Sequence, residues 1–351
     1  MTRRSHREWR IFLWVTVVAA IVSAGFGVRV RPETPLHSAL VGIGTSLIIS
    51  TPIVLLQLKG DRVAVLRRLR RLPLAIFILL KLLFYFVVIV GGLLVSRYMS
   101  SGGQALQFDE LFRRGLVFAI AMSVVGSLAF DMIGLLGFGN LKNLLTGRYI
   151  QPRPEQRAFL LIDMKDSTGL AERLGPVRFH ELLNEFFRDV ADAALECEAE
   201  IHKYVGDEAI LTWLDTDSLA DGECLACPFL VRDIMMAKAE TYRTRFGALP
   251  EFRASLHRGP IVAGEMGDVR REIAFVGDTL NVAARLLDAA KELGRDVLVS
   301  QDLLERTALP AGLRAEPLPT LTIRGRSAPL DRKSTRLNSS HTDISRMPSS
   351  A

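Results

Sequence analysis

The sequence predicts an α-helical membrane anchor followed by an α/β domain, and three observations carry that prediction. Four apolar stretches, at about 11–30, 39–58, 74–96 and 115–137, are each long enough to cross the hydrocarbon core of a bilayer. Past residue 157 the pattern changes to short apolar runs of strand length separated by stretches of helical period. Charge divides at the same place: residues 1–157 hold 20 Lys and Arg against 7 Asp and Glu, net +13, whereas residues 158–330 hold 20 against 29, net −9. The excess positive charge therefore belongs to the anchor, where it suits anionic lipid headgroups. An acidic soluble part offers nucleic acid no electrostatic footprint, so the expected partner is the lipid bilayer and no nucleic acid.

The first apolar stretch is too long for the core of a signal peptide, has no small-residue cleavage site and is followed by three more. Arg3, Arg4, Arg7 and Arg10 precede it, and Lys59, Arg62, Arg67, Arg68, Arg70 and Arg71 fill the second connection. The opposite loops hold only Arg29, Arg31, Arg97, Arg113 and Arg114. The positive-inside rule then puts both termini in the cytoplasm of a multi-pass protein of the inner (plasma) membrane. Lys81 and Asp131 fall at equal depth inside the third and fourth spans, each roughly 10 Å from the inner boundary. They read as snorkelling, solvated residues, with an interhelical ion pair as the alternative. Residues 138–157 form a linker in which Pro152 and Pro154 end any continuous helix, and whatever the anchor senses must pass through it.

From there the elements follow in order. FLLID (159–163) sits in a strand at 158–164, and helices at about 167–174 and 177–198 are split by Gly175-Pro176. A strand at 199–205, a tight Gly206-Asp207 turn and a strand at 208–214 make a hairpin. A helical region at about 217–246 leads to strands near 252–259 and 271–276, then to a helix carrying Asn281 and Arg285. A strand at 296–299, a short helix at 301–307 and a strand near 320–325 complete the pattern. Strands joined by both hairpins and helices suggest a mixed or antiparallel sheet with helices on one face. Cys197, Cys224 and Cys227 form no disulfide framework on the cytoplasmic side, and Cys224-x-x-Cys227 lacks the second pair a zinc site needs.

Four positions bear the chemistry. Asp163 ends one strand and Asp207 sits in the turn of KYVGDE (203–208), so two carboxylates at neighbouring strand ends can hold hard divalent cations. Asn281 and Arg285 are four apart in GDTLNVAARL (277–286) and project from one helix face, where they can steady charge developing on a phosphate. Together these are suited to metal-assisted phosphoryl transfer. Singly, each has a bland reading as a strand-end acid, a turn residue or an exposed helix residue.

The motifs FLLIDMKDSTGLAERLG (159–175), HKYVGDEAILTW (202–213), FRASLHRGPIVAGEMG (252–267) and REIAFVGDTLNVAARL (271–286) resemble, in this order, the class III adenylate/guanylate cyclase catalytic domain. The resemblance covers essentially all of 158–330 and implies a ferredoxin-like α/β domain that works as a head-to-tail homodimer, with the cleft between protomers. It implies that Asp163, Asp207 and the Met164 carbonyl hold two Mg²⁺ or Mn²⁺ ions per active site. The amides of 165–168 would surround the triphosphate of ATP. It implies that Asn281 positions the ribose and Arg285 contacts the α-phosphate, while Arg253, and Arg324 in the place of a family lysine, bind the terminal phosphates. Asp166 and Ser167 replace a Gly-Phe pair often found after the first metal Asp, and Asp166 is expected to point away from the triphosphate.

The resemblance also assigns the base. Lys203 matches the residue that selects adenine, because an ammonium can donate to adenine N1 but not to guanine N1–H. Guanylate cyclases place an acid there. The second base-reading position is Ala274, where adenylate cyclases usually carry an Asp or Thr, so one discriminating contact is missing. The expected activity is conversion of ATP to 3′,5′-cyclic AMP and pyrophosphate. A guanylate cyclase, a diguanylate cyclase suggested by VGDEA (205–209), or a catalytically silent nucleotide-sensing module are the alternatives. Residues 331–351 (DRKSTRLNSSHTDISRMPSSA) look like in-frame read-through of a sequencing adapter, with a disordered polar tail as the alternative, and are set aside in the reading of the fold.

Overall fold

The computed structural model describes residues 3–59, 69, 72–100, 109–136, 141, 143, 146–269, 271–318 and 332–337. They divide into two compact units, residues 1–142 and 143–351. The first contains α1 (Arg3–Val30), α2 (Pro35–Lys59), α3 (Leu74–Ser100) and α4 (Glu110–Leu136). Each includes 22 to 25 residues long and apolar enough to cross a membrane. Their shared core is small, built on Ile49, Ile53, Tyr85 and Ile89, and most other apolar side chains face outward, as lipid-facing helices require.

Polar groups inside this bundle find one another. Gln57 Nε2 donates to Tyr85 Oη at 2.5 Å and lies 3.4 Å from Ser127 Oγ. Lys81 Nζ donates to both Asp131 oxygens at 3.1 Å. The ion pair forms where snorkelling was expected, because an oppositely charged partner at the same depth leaves neither charge alone in hydrocarbon.

The second unit contains a mixed sheet ordered β2-β3-β1-β4-β6-β8-β7, with β5 paired to β4. Its strands are β1 (Arg153–Met164), β2 (Glu200–Val205), β3 (Glu208–Leu214), β4 (Phe252–Met266), β5 (Glu272–Val276), β6 (Val297–Ser300), β7 (Leu313–Pro317) and β8 (Arg332–Leu337). Between them run α5 (Ser167–Glu196), kinked at Gly175, α6 (Glu223–Ala237), α7 (Ala239–Phe246), α8 (Asp278–Glu292) and α9 (Gln301–Leu304). β1 begins at Arg153, inside the stretch read as linker, and pairs antiparallel with β3 and β4.

Residues 158–162 of β1 are at most 1% exposed, so this strand is covered on both faces. Leu160 and Ile162 pack with Leu182, Phe186 and Val190 of α5 and with residues of α6 and α7. Phe159 and Leu161 pack on the other side with Ala283 and Leu287 of α8. Helices therefore cover both faces, correcting the one-face expectation. The unbroken run Ala-Phe-Leu-Leu-Ile is the mark of a strand buried on both sides, since successive side chains point oppositely.

The C-terminal region adds a strand to the sheet. β8 lies between β6 and β7, with Leu298 opposite Ser334 and Ala315 opposite Thr335, so residues 332–337, set aside in the sequence reading, pair within this sheet. Sheet pairing is made by backbone groups, and β6 can be completed by any extended segment whatever its side-chain pattern. The strand expected near 320–325, with Arg324, lies outside the described residues.

Candidate active site

β1 and the β2–β3 hairpin place the two carboxylates. Asp163 lies next to the end of β1, opposite Glu208 of β3 on one side and Arg253 of β4 on the other. Gly206 turns the hairpin at φ 63°, a left-handed conformation that glycine adopts without a Cβ clash, and Asp207 follows it. Burial raises the Asp163 carboxyl above its ordinary range, and the charge of Asp207 raises it further, against the pull of Lys291 and Arg253. Asp207 is thus close enough for the two acids to interact, and a divalent cation would relieve their repulsion. Among the described residues no three His, Cys, Asp or Glu converge into a cage of protein ligands. Mg²⁺ ordinarily takes one or two carboxylates and leaves other positions to substrate phosphates, so the donor set fits it. Met164 can contribute only its carbonyl, because its side chain is buried in the main core.

Three neighbours of this pair were not foreseen. Glu208 is pushed up to about 7 by burial and then by Asp163, Asp207 and Asp288. Asp288 and Lys291 reach the Asp163 field from the C-terminal half of α8. Asp288, three residues after Arg285, was accessible to helical spacing alone. Glu208 and Lys291 needed the register of the sheet and the seating of α8. In chelated protein, folded Glu208 keeps its proton from its ordinary 4.5 up to about 7, where the unfolded chain has already released it. Stability should therefore fall as pH rises through that window. Thermal midpoints of the chelated protein at about pH 5 and about pH 7.5 should drop more for wild type than for Glu208→Gln.

Arg253 carries a signature of its own. Its Nε is buried and has no hydrogen-bond partner. An orphaned guanidinium donor beside a carboxylate pair is costly to keep unless a ligand completes it. A polyphosphate, with its acceptor oxygens, is such a ligand.

The loop after β1 differs in detail from expectation. The Lys165 amide donates to the Glu251 carbonyl at 2.8 Å and is not available to phosphate. Lys165 Nζ reaches Asp296 at 2.6 Å and Glu251 at 3.1 Å, tying this loop to the residues before β4 and β6. The amides of Ser167, Thr168 and Gly169, in the first turn of α5, are those a helix start leaves without intrahelical partners. Asp166, where the family often has Gly, takes φ 52° and ψ 35°. Asp is one of the few side chains that tolerate this left-handed region, which explains how the departure is accommodated. Its carboxylate lies over Gly169, where a Cβ would sit 2.4 Å from Oδ1, and Oδ2 is 3.4 Å from Arg173.

Lys203 is exposed on β2 and Ala274 half-buried on β5, opposite Gly264 of β4. The residues beside them touch: the His202 and Phe275 rings have centroids 4.5 Å apart. Burial lowers the His202 pKa to about 4, so it is a neutral packing residue. Asn281 and Arg285 stand on the exposed side of α8, whose other side buries Val282, Ala283, Leu286 and Leu287. Asp163, Asp207 and Arg253 are thus gathered at one end of the sheet, while Asn281 and Arg285 are presented outward.

No family model matches the chain. It is 34% identical over 330 residues to adenylate cyclase 2 of Rhizobium meliloti (strain 1021), across 92% of this chain and 90% of that protein. It is 30% identical over 179 residues to adenylate cyclase 1 of the same organism, covering 49% of this chain and 26% of that one. Among solved structures, an adenylyl cyclase from P. aeruginosa aligns with TM-score 0.47 and 18% identity, over 54% of this chain and 97% of that one. The first of these relationships runs nearly end to end through both proteins, and on it the chain belongs to the class III adenylate/guanylate cyclase family.

Proposed function

We propose that this chain is a membrane-anchored adenylate cyclase that converts ATP to 3′,5′-cyclic AMP and pyrophosphate as a head-to-tail homodimer. Residues 158–330 carry its catalytic motifs within the second compact unit, and both termini lie on the cytoplasmic side of the inner membrane. The observation that carries this reading is the buried, unpartnered Arg253 Nε in register with Asp163, whose carboxyl also feels the charge of Asp207. Groups for a cation and for a polyanion stand side by side, as a metal–triphosphate requires.

Asp163, Asp207 and the Met164 carbonyl would hold the divalent ions, Mg²⁺ or Mn²⁺, two per site. When bound, such ions lower the pKa of the ribose 3′-hydroxyl and offset phosphate charge. Arg253, the amides of Ser167 and Thr168 and Arg324 would grip the terminal phosphates, fixing the triphosphate for in-line attack. The 3′-oxygen bonds to the α-phosphorus as the α–β bridging oxygen leaves with pyrophosphate, and the hydroxyl proton passes to solvent. Asn281 of one protomer holds the ribose and Arg285 steadies the charge that grows on the α-phosphate bound by the other. Lys203 donates to adenine N1. To test this, the full chain in lipid nanodiscs is supplied with ATP or GTP and Mn²⁺, and the products are identified by mass. Cyclic AMP from ATP is expected. Cyclic di-GMP from GTP, or no cyclic nucleotide, would overturn the reading.

Base preference should be set by Lys203 and made shallow by Ala274. A buried amine left unpaired costs about 1–3 kcal/mol, roughly ten- to a hundredfold in discrimination. Ala274→Asp should sharpen kcat/KM for ATP over GTP, and Lys203→Glu should lower ATP use most. An unchanged ATP/GTP ratio in Lys203→Glu would remove the adenine assignment.

A further inference from the structure

We propose that Arg157 is a positioning residue for base recognition, a buried fork that ties the segment preceding β1 to both strands carrying the base-reading positions. The proposal rests on the assignment of Lys203 and Ala274 to the base.

The Arg157 side chain is 2% exposed, and its donors run to three different places. Nε donates to Glu155 at 2.8 Å, Nη1 to Glu200 at 3.0 Å, and Nη2 to the Tyr149 hydroxyl at 2.9 Å. Its planar face lies 4.7 Å from the Phe275 ring centroid. Tyr149 in turn donates to Glu155 at 3.1 Å, and its carbonyl accepts the Glu265 amide of β4 at 2.8 Å.

These partners are not interchangeable with ordinary core contacts. Glu200 opens β2 three residues before Lys203, and Phe275 follows Ala274 on β5. His202, between Glu200 and Lys203, packs its ring against Phe275 at a tilt of 33°. The pairing of β2 with β3 also shifts register between Ile201 and Lys203, so His202 is an extra residue in the ladder. A bulge of this kind re-aims the side chain that follows it, here Lys203. One guanidinium therefore sets the spacing of β2 against β5, and with it the separation of Lys203 from Ala274. A buried charge adds little to stability compared with an apolar side chain of the same volume, whereas a fork partnered at each of its three nitrogens fixes geometry. Because Tyr149 comes from the segment that follows the anchor in sequence, displacement of that segment acts on both base-reading strands together.

The test uses the full chain in nanodiscs with two variants. Tyr149→Phe removes one hydroxyl and keeps the ring. Arg157→Lys keeps the charge but loses the fork and the stacking plane. KM and kcat are measured for ATP and GTP, alongside thermal midpoints. Equilibrium Kd is measured for 3′-deoxy-ATP and 3′-deoxy-GTP, which lack the nucleophile. Arg157→Lys should raise KM for ATP and Kd for 3′-deoxy-ATP about tenfold, leave kcat within about threefold and compress the ATP/GTP ratio; Tyr149→Phe should do the same about threefold. A fall in kcat that follows the folded fraction, with KM and Kd unchanged, would make Arg157 a stability residue only and overturn the proposal. Should Arg157→Lys fail to fold, Tyr149→Phe decides alone. A wild type that binds 3′-deoxy-ATP yet forms no cyclic nucleotide would defeat the proposed function, while the Kd shifts would still decide this one.

Discussion

Asp163→Asn and Asp207→Asn should each lower turnover on the order of a thousandfold, since several kcal/mol of charge stabilisation depends on the ions these residues hold. An amide presents a neutral oxygen where a doubly charged ion needs a carboxylate. Folding should not suffer. Burial and the nearby Asp207 both disfavour the ionised Asp163, so a neutral residue relieves repulsion in the metal-free protein. The thermal midpoint of chelated Asp163→Asn should equal or exceed that of chelated wild type, while its cyclic AMP output falls to background. Most of the activity surviving in either variant would sink the metal assignment.

Mixed dimers give the second large effect, because it is a recovery from nothing. Asp163→Asn and Arg285→Ala chains are each expected to be inactive as homodimers. If one protomer supplies Asp163 and the other Arg285, every heterodimer contains one intact site and one doubly damaged site. Equal, random mixing should then restore about a quarter of wild-type activity, since half the dimers are mixed and each has one working site in two. The outward presentation of Asn281 and Arg285 on α8 motivates the experiment. No recovery from preparations in which tagged heterodimers have been isolated would refute a shared cleft.

The parts of this protein that could be read along the chain are those whose signal is local. Four apolar stretches declare four spans because length and hydropathy suffice. Gly175-Pro176 marks the kink in α5, and Gly206-Asp207 marks the hairpin, because each depends on the backbone preference of one or two residues. Asp163, Asp207, Arg253, Asn281 and Arg285 could be nominated because each lies in a short motif whose order along the chain is itself informative.

Other features arise only when distant segments meet. The pairing of Lys81 with Asp131 joins residues fifty apart, and equal depth along the chain allowed it without deciding between it and snorkelling. The Lys165 amide is spent on Glu251, the Glu208 carboxyl is pushed up to about 7, and Arg253 Nε is left without a partner, each through strands that adjoin in space. The seating of α8 on the face opposite α5, and of β8 between β6 and β7, was likewise settled by packing and pairing across the sheet. Periodicity reports which face of an element is apolar but not which neighbour that face meets. Burial, charge and hydrogen-bond partners depend on that neighbour, so residue types and their order came from the sequence, while the environment that tunes each residue came from the tertiary structure.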